Sequence, residues 1–307
     1  MDTFIQQIIN GLVLGSIYAL VALGYTMVYG ILGLINFAHG EVVMIGALTA
    51  LTVIKLLANS GLPGIVVVLL GLLAAIPVCM ALGFSIERVA YRPLRNAPRL
   101  APLITAIGVS IVLQQLAMIF WGRNYHAFPP ILPTTGRDIV GAHITDVQIA
   151  IILLAVAIMA GLMMLVNRTR LGRAMRATAE NPQIAGLMGV NINVIISATF
   201  LIGSALAAVA GVMVSANYSI AHYHMGFILG LKAFTAAVLG GIGNLPGAML
   251  GGVLLGLIES LGAGYIGDLT GGFLGSHYQD VFAFFVLILV LVFRPSGLMG
   301  EKVAERA

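Results

Sequence analysis

The sequence predicts an all-α, polytopic integral membrane protein with about 8–10 transmembrane helices, and three observations carry that reading. Of the 307 residues, 60% are hydrophobic and 8% are charged, whereas an ordinary soluble domain is roughly 25% charged. The mean hydropathy is +1.07, and several apolar runs reach the roughly 20 residues a helix needs to cross about 30 Å of hydrocarbon. No period-two barrel pattern is visible, so backbone groups in lipid must be satisfied inside helices.

In chain order, the apolar runs place spans at Ile8–Leu32, Ile35–Ile54, Leu62–Phe84, Ala101–Trp121, Val147–Val166, Ile195–Tyr218, Gly226–Ile242, Ala248–Ile266 and Val281–Phe293. The seventh is short, rich in glycine and carries Lys232, which suits a broken or re-entrant helix as well as a crossing one. The whole chain, 1–307, reads as one transmembrane domain, with 168–191 a cytoplasmic loop within it. The single Cys79 sits in an apolar run, so disulfides play no part. Asp2, with no Lys or Arg before the first apolar run, is unlike a cleavable signal, and the first span is expected to stay in the mature protein.

Orientation follows from the basic residues. Of the 15 Lys and Arg, 11 fall in three places: Arg88, Arg92, Arg95 and Arg99; Arg168, Arg170, Arg173 and Arg176; Arg294, Lys302 and Arg306. Positive residues mark the cytoplasmic side, so the loops Gly122–Asp146 and Gly267–Asp280 lie outside. The N-terminus is then outside if the seventh segment crosses. The basic balance thus describes topology, and no basic face joined to a recognition fold points to nucleic acid.

Glycines four apart, at Gly11 and Gly15, Gly226 and Gly230, Gly247 and Gly251, and Gly252 and Gly256, suit close helix packing in lipid. Between the seventh and eighth spans, Gly240-Gly-Ile-Gly-Asn-Leu-Pro-Gly247 demands a sharp turn, and a helical hairpin with an unwound tip is expected.

Enzyme signatures are missing from the sequence: no G-x-x-x-x-G-K-[ST] phosphate loop, no H-E-x-x-H pair and no paired cysteines. No catalytic residue, metal site or bound cofactor is therefore assigned. The polar groups within the spans are few, and each is costly there. Glu259 lies deep in the eighth span with no basic residue within a turn; it either ties two helices together or lines a watery path. Gln114 and Gln115 lie in the fourth span. Glu41 follows the break Asn36-Phe-Ala-His-Gly40, where it either faces a path or favours the positive end of a helix. Asn36, Glu41, Gln114 and Glu259 are the candidate path residues.

The polar stretch Arg168–Asn191 carries the most local information. Leu171–Ala179 contains good helix formers, with Arg173 and Arg176 one turn apart and Arg176 four residues before Glu180, a spacing that permits an ion pair. Asn181 is a favoured N-cap and Pro182 is tolerated at the first helical position. Gly189 supplies the stop. Between them lie about two turns, too short to be stable alone in water. The segment Pro182–Met188 is therefore expected to dock on a partner, with Ile184, Leu187 and Met188 on one side and Ala185 and Gly186 allowing close approach. A basic loop held by anionic lipid headgroups is the competing reading.

Four motifs in the right order resemble the permeases of branched-chain amino acid ABC importers, specifically the LivH-like subunit. They are Gly33-Leu-Ile-Asn-Phe-Ala-His-Gly-Glu-Val-Val-Met-Ile-Gly-Ala47, Arg173 through Asn191, Gly240 through Gly251, and Phe293-Arg-Pro-Ser-Gly-Leu-Met-Gly300. The resemblance implies an importer permease fold in the bacterial inner membrane, a second, LivM-like permease subunit, two cytoplasmic ATPase subunits that use ATP and Mg, and a periplasmic binding protein. It makes Glu180, Asn181, Pro182, Ala185, Gly186 and Gly189 the coupling element, with Arg173 and Arg176 at its rim. Related permeases are thought to carry urea, amides and other amino acids, so the substrate stays open among these. A stand-alone transporter or channel is the rival from another class.

Overall fold

The computed structural model describes residues 2–95, 97–98, 100–129, 135–139, 141–271 and 278–300. Arg99, Lys302 and Arg306 of the basic clusters lie outside that set. Eleven α-helices are described: α1 (Asp2–Leu32), α2 (His39–Leu57), α3 (Gly64–Ser85), α4 (Leu100–Trp121), α5 (Asp146–Arg168), α6 (Arg170–Glu180), α7 (Pro182–Leu187), α8 (Ile192–Tyr218), α9 (Met225–Gly240), α10 (Leu245–Leu269) and α11 (Gln279–Phe293). Two small antiparallel pairs decorate the loops. β2 (Gly136–Ile139) pairs with β3 (Ala142–Thr145), Gly136 opposite Thr145, and β1 (His126–Ala127) pairs with β4 (Ile220–Ala221).

Among the described residues, seven helices are long and apolar enough to cross a membrane; α9 and the stretch Phe284–Phe293 of α11 are shorter apolar helices. The second span starts later than its apolar run. Gly33 adopts φ +63°, which turns the chain out of α1, and regular helix resumes only at His39. Span seven is continuous, not broken: α9 has 16 residues, about 24 Å of helix, short of a hydrocarbon core of about 30 Å. The foot of α3 loosens through a π-helical turn, Ile86–Tyr91, into a 3₁₀ turn, Arg92–Leu94.

Gln6 near the start of α1 donates to the His143 carbonyl at 3.0 Å, and its Oε1 accepts from the His143 N–H at 2.8 Å. This places the N-terminus of α1 beside the loop that charge assigns to the outside. At the other end, Leu298 and Met299 donate their N–H groups to the carbonyls of Leu239 and Gly240, both at 2.9 Å. The C-terminal motif is thus pinned to the tip of the α9–α10 hairpin.

The hairpin tip is unwound as the glycines demand, and the Asn244 side chain caps α10 by accepting from the Gly247 N–H at 2.9 Å. α1 and α10 pack antiparallel through their four-residue glycine repeats. A Cβ on Gly15 would stand 2.7 Å from Val253 Cα, and one on Gly11 2.8 Å from Leu257 Cα, so the backbones touch. Around this pair, α1 also packs against α8 and α9, and small residues let it do so closely: Ala19, Ala22, Ala207, Ala208 and Ala236 are fully buried.

Candidate functional site

The stretch 168–191, which charge assigns to the cytoplasmic side, is built from a sharp corner followed by two capped helices. Thr169 ends α5 and starts α6: its hydroxyl donates to the Leu165 carbonyl at 2.6 Å and accepts from the Gly172 N–H at 3.0 Å. Gly172 makes the corner possible, because a Cβ there would collide with the carbonyls of Leu165 and Val166.

Asn181 then caps α7, its Oδ1 accepting from the Ile184 N–H at 3.0 Å, with Pro182 in the first turn. At the far end the Val190 N–H bonds to the Ala185 carbonyl at 3.0 Å and the Gly189 N–H to the Gly186 carbonyl at 3.1 Å, while Gly189 takes φ +88°. That is a Schellman closure around a left-handed glycine. Met188 is therefore the cap residue beyond α7, and Asn191 at once caps α8 by accepting from the Val194 N–H at 3.3 Å.

Two corrections follow from these positions. Arg176 does not reach for Glu180; it donates to the Val166 carbonyl and to Asn167 Oδ1, the latter at 3.4 Å. The free carbonyls at the end of α5 are a closer acceptor than an exposed carboxylate four residues on. Ala185, expected on the docking side, is 3% exposed and turned into the protein. The outer side belongs to Ile184, Leu187 and Met188, which are 58%, 87% and 81% exposed. Arg173, Glu180, Asn181, Pro182, Gly186 and Gly189 are exposed around them.

The intramembrane candidates separate into two places. Asn36, Glu41 and Gln114 share one. Glu41, fully buried in the first turn of α2, accepts at Oε1 from Ser110 at 3.0 Å and from Gln114 at 2.8 Å, both on α4. Asn36 Oδ1 accepts from the Ala38 N–H and from the Tyr91 hydroxyl, each at 3.2 Å, and so fixes the break. Ser110 and Gln114 line a cavity of about 170 Å³ with Tyr25, Phe37 and Phe227. Gln115 is exposed on another face of α4.

Glu259 stands apart, on the half of the α1–α10 pair nearer the start of α1. It is not without a cation: Lys232 of α9 pairs with Oε1 at 2.6 Å, and the Tyr18 hydroxyl donates to Oε2 at 2.9 Å. Asp280 of α11 lies 2.8 Å from the same ammonium. Lys232 is 27 residues away in sequence, so a search within one helical turn could not find it.

Glu87 gave no sequence signal beyond being acidic beside a basic cluster. Its carboxylate is buried, paired with Arg92 at 3.0 Å and with Arg95, and it accepts from Ser197 of α8 at 2.8 Å. Arg95 also donates to Asn193 Oδ1 at 2.6 Å. The foot of α3 is thus bonded to the first turns of α8, directly after α7.

Comparison with known proteins agrees with this architecture. Residues 7–291 match the family described as the branched-chain amino acid transport system permease component. The chain is 50% identical to the high-affinity branched-chain amino acid transport permease BraD of Pseudomonas aeruginosa, over 99% of this chain and 98% of that protein. It is 46% identical to LivH of Escherichia coli K12, over 99% and 97%, and 28% identical to a probable LivH permease of Methanocaldococcus jannaschii, over 96% and 92%. With a family match over nearly its whole length and two bacterial relatives near half identity, the chain belongs to the family of branched-chain amino acid transport permease components.

Proposed function

We propose that the chain is one of two membrane subunits of an ATP-driven importer of branched-chain amino acids in the bacterial inner membrane. A second permease subunit completes the path, two ATPase subunits bind on the cytoplasmic side, and a periplasmic protein delivers the substrate. The observation that carries this reading is α7. Both of its ends are closed by side-chain and glycine caps, yet its apolar side chains Ile184, Leu187 and Met188 are exposed. Burying such a side chain is worth about 1.5–3 kcal/mol, so the element is built to be covered. A protein groove covers it without exposing the polar caps beside it.

In this mechanism, closure of the ATPases moves α7, and α7 moves the first turn of α8 through the bonded stretch Val190–Asn191. The names of the relatives support branched-chain amino acids as substrate. Uptake of leucine by the complete complex in proteoliposomes, with ATP inside the compartment that holds the ATPases, tests the reading. No uptake of leucine, isoleucine or valine while urea or amides enter would move it to another substrate class.

A further inference from the structure

A cavity of about 380 Å³ opens between α1, α8 and α9 toward the outer half of the protein. Its walls are mixed aliphatic and aromatic, Ile17, Val214, Ile228 and Leu229 beside tyrosines and two histidines, and among the described residues Lys232 is its one lining residue from the Lys, Arg, Asp and Glu set. Immediately behind Lys232, Glu259 lines a second cavity of about 260 Å³ together with Gln7, Asn10, Gln148 and Asn217. Tyr218 lines both. The ion pair therefore stands where an apolar chamber meets a polar one.

The charges at that junction are unequal. Among the described residues, one ammonium, Lys232, meets two carboxylates, Glu259 at 2.6 Å and Asp280 at 2.8 Å. One negative charge is left over, the complement of a second ammonium. An ammonium carries three N–H donors, and two directed at these carboxylates leave one for an acceptor at the junction. A tie between helices needs neither the extra carboxylate nor the chambers, and a buried pair used only as a tie can be replaced by apolar residues with little loss.

We infer that Lys232, Glu259 and Asp280, with the chamber between α1, α8 and α9, bind a zwitterionic α-amino acid with a branched apolar side chain. At the junction, where Leu14 and Tyr218 line both cavities, the substrate side chain fills the chamber, its carboxylate takes the open N–H of Lys232, and its ammonium turns to the polar side, where Glu259 lines the wall. The polar cavity beside Glu259 is the aqueous approach. This rests on the importer reading above and names the station where substrate first meets the chain.

The test is photolabelling of the complete, lipid-reconstituted complex with a leucine analogue that carries a diazirine in its side chain, followed by mapping of the adducts. Adducts are expected on Ile17, Val214 or Ile228, competed by leucine. In the double variant Lys232→Met with Glu259→Leu they should fall by about tenfold or more, as for the loss of two charge-assisted bonds. Adducts elsewhere in a complex that imports leucine, or full labelling in the assembled double variant, overturn the site and leave the importer reading standing. A complex that imports no branched-chain amino acid overturns both. If the double variant fails to assemble, Val214→Phe decides: it narrows the chamber without touching a charge, so leucine should compete less well relative to valine, and equal weakening of both overturns the site.

Discussion

Arg95 Nη1 donates to Asn193 Oδ1 at 2.6 Å, bonding the foot of α3 to the first turn of α8, two residues after the cap that follows α7. The same foot holds Glu87, which accepts from Ser197 one turn further along α8, and Tyr91, whose hydroxyl reaches Asn36 in the break before α2. A continuous set of bonds thus runs from α7 to the place where Glu41 meets Gln114.

Glu87→Gln should lower stability by about 2–3 kcal/mol, below the loss from breaking a fully buried pair because both arginines are partly exposed. Thermal unfolding of the purified complex measures it. Should the set of bonds transmit motion, the same variant also hydrolyses ATP with reduced leucine uptake per ATP. An unchanged ratio limits Glu87 to a structural role.

Gly189→Val places a β-branched residue at φ +88° and should cost about 1–2 kcal/mol or more in local stability. Asn181→Ala removes the opposite cap at a cost of about 1 kcal/mol. Both act on α7 alone, so hydrogen exchange of Ile184–Met188 should accelerate while α1 and α10 stay protected. Equal acceleration in α1 would show that the caps hold more than this helix.

Gly172→Ala drives a Cβ into two backbone carbonyls, so the corner between α5 and α6 must open, at about 1–3 kcal/mol. The expected result is weaker co-purification of the ATPases with a permease that still inserts. Normal recovery of the ATPases argues that α6 does not set the position of α7.

Glu259→Leu alone leaves Lys232 beside Asp280, which is 40% exposed, and should destabilise by about 2–4 kcal/mol. Adding Lys232→Met should recover part of that loss, read as a higher unfolding temperature of the double variant than of the single one. A double variant no more stable than the single would mean that Lys232 stays compensated without Glu259.

What the sequence carries well is local. Asn181, Pro182 and Gly189 announce a helix start and stop through their own backbone preferences, and the caps form where those preferences point. The glycine repeats of α1 and α10 likewise announce a close helix pair. Orientation around a helix too short to show a period is different: Ala185 faces inward because α6 and α8 hold α7 from that side, which no property of Ala185 encodes. The pairs Lys232 with Glu259 and Glu87 with Ser197 join residues 27 and 110 apart, set by helix packing alone. Hydropathy starts the second span at Ile35 because Ile35, Phe37 and Ala38 are apolar, yet they sit in an unwound stretch held by Asn36 and Tyr91.

The most direct measurement is disulfide or bifunctional crosslinking from Leu187→Cys, 87% exposed at the end of α7, to cysteines along the groove of the ATPase subunit in the assembled complex. As the coupling element, α7 should give a crosslink at high yield, ATP should change that yield, and a bulky adduct at Leu187 should abolish leucine uptake. No crosslink from Leu187 in a complex that still imports leucine at the normal rate would contradict it.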